Sequence, residues 1–143
     1  MNRASDAVEK FLQGYACTQA ILTQYCEQFD LNPDIAMKLA AGFAAGMRMG
    51  KICGAVTGAY MVLGLKYSGE NCDQPEGRKN VYNAVCEFTE KFIRISGTIE
   101  CKELLGCDVG TEAGMQEARQ KDLFKTICPK FVRISAEILE EMM

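Results

Sequence analysis

Apolar residues recur at helical spacing through almost the whole chain, and no stretch alternates apolar and polar residues with a period of two. Asn-Gly and Asp-Gly turns are also missing. The pattern argues for helices joined by short breaks and against sheet. Val8, Phe11, Leu12 and Tyr15 mark a first helix over Arg3 to Gln13, with Gly14 ending it. A second starts near Cys17 and reaches about Gln28, with Ile21, Leu22, Tyr25 and Phe29 as its apolar positions. Asn32-Pro33-Asp34 joins a capping residue to a proline at the first helical position, which is a helix start signal. Ile35, Leu39, Ala40 and Phe43 continue that helix, and glycines end it between Gly46 and Gly50.

The next helix begins at Cys53 and runs to Tyr67, before the turn-rich Ser68-Gly69-Glu70-Asn71. A long helix is expected from Pro75 to Ser96, striped by Val81, Val85, Phe88, Phe92 and Ile95. Gly97 stops it, and Thr98 or Glu100 opens a short helix through Leu105. Gly106 to Gly114 reads as a loop, with Thr111 or Glu112 as an early start for the helix over Gln116 to Ile127. Pro129 fixes a last start with Cys128 as its N-cap, and Phe131, Ile134, Ile138 and Met142 line one face. The expected fold class is all-α, a compact single-domain bundle of six to eight helices over residues 1–143.

Composition excludes several function classes. Net charge is −3, and lysines and arginines are scattered among acids. The electrostatic footprint of a nucleic-acid binder is therefore missing. The uncharged, apolar stretch Ile52 to Leu65 is too short and too glycine-rich to span a bilayer. No apolar segment follows the N-terminus as a secretory signal would require. The expected location is cytoplasmic, where stable disulfides are rare.

Against that background the chain carries eight cysteines and no histidine. This is below the roughly 8–10% cysteine that marks a disulfide scaffold, and it points to metal or catalysis instead. Without histidine, CxxCH haem attachment, histidine metal triads and serine–histidine catalysis are all excluded. There is no CxxC, so neither paired zinc ligands nor a thioredoxin-type motif is present. Cys17, Cys53, Cys101 and Cys128 each fall where a helix is expected to begin. Partial positive charge and free N–H groups at a helix start lower a thiol's pKa. Any site must therefore be assembled from these four sulfurs, distant in sequence, and four thiolates suit Zn²⁺ or an iron–sulfur cluster.

The other cysteines read more blandly. Cys26 and Cys86 sit mid-helix beside apolar neighbours and are expected in the core, and Cys72 lies in a polar loop. Cys107, six residues after Cys101, is a further candidate for the site. Met47, Met49 and Met61 could supply thioethers but suit the core equally. Glu137, Glu140 and Glu141 oppose the dipole at the end of the last helix and are expected to mark a frayed, solvated end.

Gly42, Gly46, Gly50, Gly54 and Gly58 recur every four residues. Five interior glycines would cost one helix about 1 kcal/mol each, so a turn is expected over Gly46 to Gly50. Gly54 and Gly58 then sit in the first turns of the helix after Cys53. There they admit either a bound group, which would make them cofactor-binding residues, or a close-packed helix.

The run Cys53-Gly54-Ala55-Val56-Thr57-Gly58 resembles the CGAxxG signature of the C-GCAxxG-C-C family, whose label is redox-active. The resemblance extends from Tyr15-Ala16-Cys17-Thr18-Gln19-Ala20 to Cys128-Pro129-Lys130 and the final helix. It implies that the family's four shared cysteines fall on Cys17, Cys53, Cys101 and Cys128. Similar domains are joined to cytochrome-type modules, which implies electron transfer and a redox partner protein. Many of the family's genes lie near transporter genes, which names no substrate.

Three readings follow. The four cysteines bind a metal or iron–sulfur cluster for electron transfer, or two of them cycle between thiols and disulfide. The alternative is a non-enzymatic helical module with structural zinc or merely buried thiols. A homo-oligomer is compatible with each of them.

Overall fold

Asn2 accepts a hydrogen bond from the Ser5 N–H and so starts helix α1, Arg3–Leu12. Asn32 does the same for α3, Pro33–Ala41, accepting from Asp34 and Ile35 at 2.8 and 3.1 Å. Such caps satisfy donors that have no partner inside the helix. Between them α2, Cys17–Leu22, begins without a side-chain cap, although the Gln19 side chain accepts the Ala16 N–H. The remaining helices are α4, Gly54–Tyr67; α5, Pro75–Ser96; α6, Cys101–Leu105; α7, Glu112–Gln120; and α8, Cys128–Met142. A single helical turn, Leu123–Thr126, stands between α7 and α8. The computed structural model describes residues 2–143, and over them the fold is the all-α bundle that the periodicity implies.

Helix α4 is the axis of the core. Ala55, Val56, Ala59, Val62 and Leu63 are all fully buried, so its surface is covered by α2, α5 and α8. A helix apolar on every side can only be stable in such a position. Phe88 stacks on Phe92 with ring centroids 6.0 Å apart, and Tyr60 and Phe131 pack at either end of the pair. The buried Ser135 hydroxyl donates to the Ala55 carbonyl at 2.7 Å and ties α8 to α4. Lone buried hydroxyls are costly, so this bond fixes the register of the two helices.

Several local expectations are corrected. The second helix stops at Leu22, and a short 3-10 turn over Glu27–Phe29 follows it. The helix after the loop takes its early start at Glu112, as allowed for, but breaks at Asp122, whose φ is +57°, instead of continuing to Ile127. Cys86 is exposed, because the buried face of α5 is set by Ala84, Phe88 and Phe92. Ile95 is exposed for the same reason. On α3 the buried residues are Ala36 and Ala40, Ile35 and Leu39 are exposed, and Phe43, just beyond its end, is exposed as well. Small residues bring α3 close to α2, where Gln19 donates to the Met37 carbonyl at 3.0 Å.

The last helix is not frayed. Glu140 accepts from the Tyr25 hydroxyl and pairs with Arg3, while Glu141 pairs with Lys91. The Tyr67 hydroxyl donates to the Met142 carbonyl at 2.9 Å. Glu140 and Glu141 are therefore held by Arg3 on α1, by Tyr25 between α2 and the 3-10 turn, and by Lys91 on α5. Among the described residues no helix is long and apolar enough to cross a membrane.

Candidate functional site

Two backbone features assemble the site. The first is a turn of opposite hand. Ala45, Gly46, Met47 and Arg48 are all left-handed, with φ of +53°, +60°, +58° and +61°. Side-chain-bearing residues avoid this region at a cost of roughly 1–2 kcal/mol each. The turn is closed by Lys51 N–H donating to Gly46 O, and by the Arg48 guanidinium donating to Val109 O at 2.9 Å. A β-carbon at Gly46 would strike the Lys51 backbone, so the expected glycine turn is here a requirement of space as well as of φ.

The second feature is an isolated antiparallel bridge between Ile52 and Glu100. Cys53 N–H donates to Ile99 O at 2.8 Å, and Cys101 N–H donates to Lys51 O. Residues that flank a bridged pair share one face of the ladder, because side chains alternate along a strand. Cys53 and Cys101, 48 positions apart by their numbering, thus face the same way.

Cys17, Cys53, Cys101 and Cys128 line a single cavity of about 460 Å³. Cys17 is the first residue of α2, Cys53 the N-cap of α4, and Cys101 the first residue of α6. Cys128 is not the N-cap expected for it. It is the first residue of α8, with Ile127 as the cap and Pro129 one position further in. Gly54 also lines the cavity, and a β-carbon there would overlap the Cys17 sulfur. Gly58 lies against the backbone of Thr18 and the Ile21 side chain, so it is the seam between α4 and α2.

The thiols do not behave as helix starts alone would dictate. Burial pushes the Cys17 thiol up, although backbone amides of Ala45, Thr18, Cys17 and Gly54 act against that rise. Burial also raises Cys53 well above the ordinary thiol range, and the nearby Cys17 raises it further. Cys101 is pushed up to about 12 by burial, then by Cys17, Cys107 and Asp108. Cys128 is raised by burial and by Cys17, Cys101 and Cys107. The expected lowering is thus corrected: loss of water around the sulfur outweighs the helix N-termini. Cys17 differs from the others in one respect. Four backbone amides favour its ionised form.

The rest of the wall was not legible from sequence. Leu104, Met115, Phe124 and Phe131 make it apolar, and Arg119 is the only charged residue on it. Met115 and Arg119 stand four apart on α7, a spacing shared by any amphipathic helix. Met47, Met49 and Met61 do not line it. Cys26 is buried in the core and Cys72 is exposed, as expected. Half-buried Cys107 packs against the cluster of Cys101, Leu105 and Val109. Among the described residues no three Cys, Asp or Glu side chains are grouped closely enough to hold a metal ion.

The family model described as Putative redox-active protein (C_GCAxxG_C_C) matches residues 15–142. No curated protein and no solved structure matches the chain.

Proposed function

The chain belongs to the C_GCAxxG_C_C family of redox-active proteins, and on that premise we propose that it works by reversible thiol–disulfide chemistry at the cysteine cavity. The observation that carries the reading is the single cavity lined by four thiols. Cys17 is the attacking sulfur, because its ionised form is the one supported by four backbone amides. Cys53 is the resolving sulfur. It adjoins Gly54, which touches Cys17, and Cys17 is the foremost charged neighbour opposing its ionisation.

The electrons balance with an external disulfide as oxidant. The Cys17 thiolate attacks one sulfur of that disulfide, giving a mixed disulfide and a released thiolate. The Cys53 thiolate then attacks the Cys17 sulfur and releases the second thiolate. Two thiols become one disulfide, and the two released thiolates take up the two protons. Cys101 and Cys128, in the same cavity, are the candidates for a second pair.

Intact-mass and peptide mapping after oxidation by a small disulfide tests this. The expected result is loss of two hydrogen atoms and a Cys17–Cys53 cross-link. Stoichiometric iron or zinc in anaerobically purified protein, with all four cavity thiols protected from alkylation, would overturn it in favour of a metal centre. A reduced protein whose cavity thiols never cross-link would leave only a helical module with buried thiols.

A further inference from the structure

We propose that the cavity takes a small disulfide with an apolar body and an acidic group, the acid being held by Arg119 while the disulfide sulfur reaches Cys17. The inference rests on the thiol–disulfide reading above and adds the substrate class. A volume of about 460 Å³ suits one molecule of aromatic size. The wall offers Leu104, Met115, Phe124 and Phe131 to the body of that molecule.

Arg119 is the one charge on the wall, and among the described residues it makes no ion pair. Arg119 is an exposed residue that lines the cavity one turn after the buried Met115 on α7. Arg119 also borders a smaller groove with Arg48 and Glu112. Arg48 is engaged with the Val109 carbonyl, and the nearest acid on α7, Glu117, pairs with Lys121. Glu112 is the acid on that side which a ligand would have to outcompete. An unpaired guanidinium beside an apolar cavity is matched by a carboxylate or sulfonate, which it can bind through two parallel hydrogen bonds.

The reaction is that of the preceding section. The Cys17 sulfur forms the mixed disulfide, one acid-bearing thiolate leaves, and Cys53 displaces the second. One disulfide is reduced to two thiols as one protein disulfide forms.

Single-turnover kinetics with two probes test the proposal. Dithiobis-nitrobenzoate carries carboxylates, and dithiodipyridine is neutral at the same pH. The readout is the ratio of their rates at Cys17, in protein whose exposed Cys72 and Cys86 are replaced by serine. Arg119→Gln is expected to lower that ratio by about tenfold or more, the loss of one charge-assisted contact. Arg119→Lys should recover part of it, and added salt should lower the ratio in the wild type. An unchanged ratio in Arg119→Gln, with Cys17 still reactive, overturns the substrate class and leaves the redox reading standing. Failure of both probes at Cys17 and Cys53 in the wild type overturns the redox reading, and the substrate class with it.

Discussion

The β-carbon that Gly54 lacks would overlap the sulfur of Cys17. The first residue of α4 and the first residue of α2 are thus in contact, with no room for a side chain between them. Gly54→Ala should push the two helix starts apart and destabilise the protein by about 1–3 kcal/mol, the usual cost of an overpacked site. It should also slow disulfide exchange at Cys17, because the Gly54 amide is one of the donors acting on that sulfur. Urea denaturation and single-turnover kinetics would check both effects. Unchanged stability would mean that α2 and α4 are not in contact there.

The left-handed turn gives a prediction of opposite sign. Met47 holds a φ of +58° that its side chain disfavours. Met47→Gly relieves roughly 1–2 kcal/mol of strain and adds about 0.5–1 kcal/mol of unfolded-state entropy. The variant should be as stable as the wild type or more stable by up to about 1.5 kcal/mol, measured by denaturant midpoint. A β-branched residue at Ala45 should be clearly destabilising.

Stability should fall as the solution becomes alkaline. The folded thiols keep their protons above the ordinary value of 9.0, up to about 12 for Cys101. The unfolded chain releases those protons near the ordinary value, so between these limits the folded state holds more of them. Stability then declines as pH rises, by about 1.4 kcal/mol per pH unit for each such thiol. A thermal melt series from pH 8 upward checks the sign, and Cys101→Ala should flatten the decline.

Thiol accessibility gives a further check. Cys72 and Cys86 are exposed, whereas the cavity thiols are raised by burial. Brief alkylation at neutral pH, read by peptide mass, should label Cys72 and Cys86 first. The four cavity cysteines should follow more slowly, with Cys17 first among them, and all four should react faster as pH rises.

The Thr18 hydroxyl is fully buried beside Gly54 and has no hydrogen-bond partner among the described residues. An unsatisfied buried donor costs about 1–3 kcal/mol, so Thr18→Val should be neutral or stabilising. A loss of stability would show that the hydroxyl is satisfied within the folded protein.

Much of the site could be read from local signals. Asn32-Pro33, Gln74-Pro75 and Gly97 bound their helices as the sequence implies, because capping and φ restriction act within a few residues. The helix-start character of Cys17, Cys53 and Cys101 was legible on the same ground. Cys86 and the α3 stripe were misread, since periodicity identifies an apolar face but not the element it meets.

The sequence by itself determined an all-α chain, four cysteines at or next to helix starts, and the absence of histidine chemistry. Only the tertiary structure decided that these cysteines line one cavity, through a bridge between Ile52 and Glu100 and a left-handed turn at Ala45–Arg48. It also decided the sign of the thiol shifts and the presence of Arg119 on the wall. The reason is physical. Helix starts are fixed by neighbours along the chain, whereas burial and charge around a sulfur depend on residues far away in sequence.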